Sequence, residues 1–272
     1  MFIHISIFNT NLSDVAINHF KNTYPVYGGT INGLEYTILN PLYGTIINGT
    51  NVTGNVVIPA TITHDGTEYP VVQIFNNAFL SNTSIVSIQL PPNITSIGDN
   101  AFSGCTNLTS IQLPISITSI GDHAFSGCTN LRSINLEQCK ALISLGEKVF
   151  FNCSKLENLD LTNLNKLNTH GLSIYEGSGI KNIVLPDKLN IIGQHAFKDC
   201  TDLKVITFNG PVPGDLNTVG ISEATTPFLR VHPEAIIRVY YRYSSTNPIN
   251  NNQGFLTEYV RGSTIPVVII DP

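Results

Sequence analysis

Two kinds of reactive side chain recur in this sequence at a spacing that would let them act together. Cys105, Cys128, Cys153 and Cys200 account for four of its five cysteines, and Asp99, Asp122 and Glu147 form a second series, with Asn76 and Gln194 at the matching positions on either side. If each recurrence marks one coil of a stack, neighbouring copies lie about 4.8 Å apart. That distance falls inside the roughly 4.4–6.8 Å Cα window of a disulfide and near the roughly 5 Å that separates the two carboxylates of a retaining glycosidase. Direction argues against both chemistries. Side chains of one column run parallel into the core, where a free cysteine behaves as a small hydrophobe. The carboxylates open a turn, where capping free amides is their ordinary work. Cys139, in the inserted EQCKAL, stands outside the column and is expected to be exposed.

Histidine offers no metal site by spacing. His123 and His195 hold the same repeat position three coils apart, roughly 14 Å by the same rise, whereas zinc ligands each approach to about 2 Å. His64, His170 and His232 stand singly and read as solvated or loop residues. The sequence contains no G-x-S-x-G elbow, P-loop, H-E-x-x-H or C-x-x-C. No catalytic residue, cofactor or metal is therefore expected.

The elements that carry these columns are repeats. GDNAFSGCTNLTSIQLP from Gly98 and GDHAFSGCTNLRSINLE from Gly121 agree at thirteen of seventeen positions, at an offset of 23 residues. Further copies begin at Asn76, Gly146 and Gly193, with a degenerate one, SIYEGSGIKNIVLP, at Ser173, making six coils. In the second copy Ile94, Ile97, Ala101, Phe102, Cys105, Leu108, Ile111 and Leu113 point inward. Leu108, Ile111 and Leu113 end in strand-like alternation. Ala101, Phe102 and Cys105, behind the N-cap residue Asp99, predict one helical or tight turn. A lone coil leaves most of its apolar ring wet, so stacking is what makes it stable.

The pattern I-x-x-I-G-x-x-A-F-x-x-C-x-x-L-x-x-I-x-L-P resembles the BspA-like leucine-rich repeats, from about Val56 to Phe208. The resemblance implies a β-rich α/β solenoid: a right-handed leucine-rich repeat superhelix with an N-terminal β-hairpin cap and a C-terminal β cap. Residues 31–70, with their Y-x-I, VVIP and GTEYPV signposts, are similar to the hairpin cap, residues 71–208 to the array, and residues 209–272 to a closing segment. Residues 1–30 form an extension in which Asn11–Tyr24 reads as a short amphipathic helix. The family's members are mostly surface or secreted proteins implicated in adhesion. The resemblance thus implies a cell-surface or secreted location and a protein partner, from the host or from the same cell.

Composition agrees with a folded protein. With 42% apolar and 12% charged residues the chain is globular. Its net charge of −5, with 14 scattered Lys and Arg, offers no basic stripe for nucleic acid. No apolar run approaches the roughly 20 residues of a membrane span, and MFIHISIFNTN has neither the basic region nor the unbroken apolar stretch of a signal peptide. Seven N-x-S/T sequons begin at Asn11, Asn48, Asn51, Asn82, Asn93, Asn107 and Asn152. A repetitive chain rich in Asn, Ser and Thr makes such triplets by chance.

What remains is a surface. The outward strand positions predict two polar columns, Ser87, Ser110, Ser133, Asn158, Asn182, Val205 and Gln89, Gln112, Asn135, Asp160, Val184, Thr207. A flanking column, Val86, Thr109, Arg132, Glu157, Lys181, Lys204, changes character from coil to coil. A curved solenoid presents such columns as one extended concave face. The expected partner-binding residues are Ser110, Gln112, Arg132, Ser133, Asn135, Glu157, Asn158, Asp160, Lys181, Asn182 and Lys204. Two rival readings are a structural role in a surface layer or envelope, and a carbohydrate-active enzyme on a parallel β-helix.

Overall fold

The computed structural model describes residues 27–40, 43–49, 51–167, 169–189, 191–208, 230–231, 233–240 and 267–270. The expected helix at Asn11–Tyr24, His232 and most of residues 209–272 lie outside them. The described residues form a β-solenoid whose coils are marked by six stacked rings, Phe79, Phe102, Phe125, Phe150, Tyr175 and Phe197. Their centroids lie 5.1–6.0 Å apart, and five successive pairs run down the core.

The stack starts from antiparallel pairing. Tyr27–Ile31 pairs with Leu34–Asn40, which pairs with Tyr43–Asn48, and Thr61–His64 forms a hairpin with Thr67–Ile74. From there the ladders are parallel. On one side Tyr43–Asn48, Thr67–Ile74, Ser96–Ile97, Ser119–Ile120 and Ser144–Leu145 follow in order. On another, Gly54–Val57, Ile85–Gln89, Ser110–Gln112 and Ser133–Ile134 pair in register. A third ladder joins Asn158–Asp160, Asn182–Leu185, Val205–Phe208, Ile236–Tyr240 and Val267–Ile270.

Of the two forms expected, a helical or a tight turn, the structure has the tight one, and the α/β expectation is corrected accordingly. Among the described residues the helical content is a single 3-10 turn, Leu136–Gln138. The cause lies in the residue after each N-cap position. Asn77, Asn100, His123, Lys148, Ser173 and His195 all take φ between 52° and 60°, the left-handed region that ends a right-handed helix. Amides of the turn then alternate between two destinations. Ala101, Ser103 and Cys105 donate within the turn to Gly98, Asn100 and Phe102. Asn100, Phe102 and Gly104 donate to Asp122, Ala124 and Ser126 of the next coil at 2.7–2.8 Å. A helix would satisfy every amide internally and leave the coils joined by side chains alone.

Side chains close what the backbone leaves open. Asn76 Oδ1 accepts the Asp99 amide, Asp99 Oδ1 accepts the Asp122 amide, and Asp122 Oδ1 accepts the Glu147 amide, at 2.8–2.9 Å. The carboxylates therefore do cap amides, but those of the following coil. The glycine before each of them has no room for a side chain: a Cβ on Gly121 would lie 2.7 Å from the Asp99 backbone nitrogen.

Candidate functional site

The cysteine column belongs to the core. All five cysteines are free and buried, including Cys139, whose expected exposure is corrected here to 0%. Its coil folds the inserted residues inward, so that its thiol faces the Asn135 and Pro114 carbonyls. Cys105, Cys128, Cys153 and Cys200 each donate a thiol hydrogen to the Phe79, Phe102, Phe125 or Tyr175 carbonyl, at 3.0–3.1 Å. Burial pushes the Cys105 and Cys153 thiols up to about 12 and the Cys139 and Cys200 thiols up to about 11, which keeps them protonated and unreactive.

The carboxylate and histidine series likewise assemble no reactive centre among the described residues. Burial raises the Asp99 carboxyl above its ordinary range, the amide of Asp122 opposing it; that oxygen is already engaged in capping. No group of three His, Cys, Asp or Glu side chains is placed to hold a metal ion. His170, expected in solvent, is 2% exposed. It occupies the inward column of Ile97, Ile120 and Ile192, because the strand Thr169–His170 pairs with Ile191–Ile192 in register. Among the sequons, Asn82 is buried and donates to the Gly49 and Val52 carbonyls, so it is closed to a glycan.

The strand face is where the expected binding residues lie. Ser87, Ser110 and Ser133 are in register, as are Gln89 and Gln112. Beyond them Asn158, Asn182 and Val205 align, beside Asp160, Val184 and Thr207. Gln112, Arg132, Ser133, Glu157, Asn158, Asp160, Asn182 and Lys204 are exposed, while Ser110, Asn135 and Lys181 are half-buried. Backbone amides space the flanking column within each part of the face: Arg132 donates to Thr109, Lys181 to Glu157, and Lys204 to Lys181, at 2.7–2.9 Å.

Three features of this face depart from the expected unbroken wall. First, Ser133–Ile134 and Asn158–Asp160 belong to separate sheets, and the Leu136–Gln138 turn stands where the preceding copy has Leu113–Pro114. Second, Asn135 is occupied in stitching coils, its amide accepting from the Leu113 N–H and donating to the Leu113 carbonyl. Third, Thr207 is 8% exposed and ends its polar column in the core.

Within the second part the groups pair with one another. Lys181 Nζ lies 2.8 Å from Glu157 Oε1, and this hydrogen bond, then the charges of Lys181 and Arg132, hold the Glu157 carboxyl below its ordinary value. Asn182 donates to Asn158 at 3.0 Å. Asp160 closes its own turn by accepting the Thr162 amide. The face also begins one strand earlier than expected: Val57, 58% exposed, aligns with Gln89, and Val86, three residues before Gln89, is 43% exposed. VVIP ends as IQLP does, and extending the repeat back through it would have found this strand.

Residues 72–204 match, in six copies, a family described as BspA type leucine rich repeat region. No curated protein matches the chain. Two solved structures share the fold. A leucine rich cell surface protein from Faecalibacterium prausnitzii is 18% identical, with a TM-score of 0.55 over 80% of this chain and 72% of that one. A leucine rich repeat protein from T. pallidum is 21% identical, with a TM-score of 0.52 over 89% of this chain and all of that one. Among the described residues no helix is long and apolar enough to cross a membrane.

Proposed function

The chain is a BspA-type leucine-rich repeat protein over residues 72–204, and from that premise we propose that it is a non-enzymatic binding module whose strand face captures a partner protein. The observation that carries this reading is the flanking column. Its backbone is held in register within each part of the face, Thr109 with Arg132 and Glu157 with Lys181 and Lys204, while its side chain changes at nearly every coil. A rigid lattice with variable charge is what selective recognition needs: the lattice limits the ordering cost of association, and the charges choose the partner and steer its approach.

Capture at the cell surface or outside the cell fits the similarity to the Faecalibacterium prausnitzii cell surface protein. Adhesion to a host or neighbouring cell is the role this reading assigns. The side chains of the Glu157–Lys181 pair reach solvent, at 48% and 40% exposure, so a partner that replaces either member meets little resistance from water-screened attraction.

The test compares the wild-type chain with the Arg132→Ala, Glu157→Ala, Lys181→Ala triple variant, each immobilised and exposed to host and self cell-surface extracts. A protein held by the wild type and lost from the variant, with weaker capture at high salt, is the expected result. Equal capture by both chains would move the site off this face, and cleavage of a polysaccharide by the wild type would end the non-enzymatic reading.

A further inference from the structure

The fifth coil departs from its neighbours in three inward columns at once. His170 stands in the column of Ile97, Ile120, Leu145 and Ile192, Tyr175 in the phenylalanine column, and Ser178 in the cysteine column, where its hydroxyl lies 3.4 Å from Cys200 Sγ. All three are enclosed, at 2%, 0% and 3% exposure. Among the described residues both ring nitrogens of His170 and the Tyr175 hydroxyl lack a hydrogen-bond partner. The two rings meet edge to face, with centroids 5.6 Å apart and planes at 76°. Buried polar atoms without partners cost stability, so this coil is the weak member of the stack.

The ladder on the same side is interrupted at this coil. Thr169–His170 forms a separate two-stranded sheet with Ile191–Ile192 and is not in the ladder that ends at Ser144–Leu145. Neither of the flanking strands, Ser144–Leu145 and Ile191–Ile192, carries a titratable side chain. At the starts of the flanking turns Glu147 is exposed and His195 half-buried. Among the described residues Tyr175 is the titratable side chain whose ring meets that of His170, and burial next to the Cys200 thiol keeps it neutral. With no charged neighbour contributing, burial alone pushes the His170 imidazole down from 6.5 to about 3.

We propose that the fifth coil is an acid-sensitive joint of the array, which opens when His170 takes up a proton. Well above the ordinary imidazole range the ring is neutral in both the closed and the open coil, and closure keeps its full stability. As pH falls below 6.5 the open coil binds a proton that the closed coil refuses, so closure loses stability progressively and levels off only under about pH 3. Between about pH 8 and about pH 5 the opening constant rises on the order of 30-fold. Opening here parts the fourth coil from the sixth and divides the strand face between Asp160 and Val205.

The molecule carries its own probes, because Cys153 and Cys200 lie in the coils on either side while Cys105 and Cys128 lie further along the stack. The full chain is treated with a dithiodipyridine, which reacts with thiols in acid, and each cysteine is followed by mass spectrometry. Rates are divided by those of the denatured chain at the same pH. Cys153 and Cys200 are expected to react roughly 30-fold faster at about pH 5 than at about pH 8, with Cys105 and Cys128 still protected. His170→Ile, which restores the residue of the neighbouring coils, is expected to remove the acceleration. Equal acceleration of all thiols, the same acceleration in the variant, or a His170 ring that titrates near 6.5 in the folded chain would each overturn the proposal.

Discussion

A cysteine one coil along from the Phe79, Phe102, Phe125 and Tyr175 carbonyls is a small apolar residue that adds a second, weak donor to a carbonyl already bonded within its own turn. Its burial decides its chemistry: none of the five thiols is expected to react with a thiol reagent at neutral pH in the folded chain, and all five in denaturant, read by absorbance. At the capping position the side chain needs only an acceptor, as Asn76 in the first copy demonstrates. Asp122→Asn should therefore leave stability nearly unchanged. Asp122→Ala, which strands the Glu147 amide, should cost about 1 kcal/mol in urea unfolding. The core role of Cys105, Cys128, Cys153 and Cys200 is legible in their repetition alone. The burial of Cys139 is not, because the carbonyls it faces belong partly to the coil before it. His170 was equally hidden: its column is apparent only once the shortened fifth copy is placed in register with Ile192.

At the scale of one element, the turn is where local pattern and outcome part. Ala101, Phe102 and Cys105 have helical spacing, and all three do face inward, yet the backbone that places them is a chain of turns. Local spacing reports which side chains share a face, and a tight turn and a helix share that signature over five residues. What chooses between them is the supply of acceptors on the next coil, which takes every second amide. The glycine opening every turn after the first follows from this closeness. Gly121→Ala would drive a Cβ into the backbone around Asp99, and a loss of about 1–3 kcal/mol is expected in chemical denaturation. The same substitution at Gly66, whose Cβ would meet nothing within 4 Å, serves as the control: only the strain of its φ of 75° remains.

For the whole molecule, stability is a sum over neighbours. Among the described residues Phe125 stacks on Phe102 and Phe150, at 5.3 and 5.9 Å, while Phe79 stacks on Phe102 alone. Phe125→Ala should cost about 3–5 kcal/mol, and hydrogen exchange should quicken first in the coils of Phe102 and Phe150, later at Val205–Phe208. Phe79→Leu should cost less than Phe125→Leu, since one ring contact is lost instead of two. The sequence by itself determined the period, the number of copies and the inward columns, because a coil that cannot be stable alone must repeat the residues that meet its neighbours. Tertiary structure alone decided that the turns would not be helices, that the strand face would divide after Ser133–Ile134, and that Cys139 and His170 would lie inside. Each of these depends on which backbone groups the adjoining coil presents across a few ångströms, and spacing along one chain segment carries no record of that.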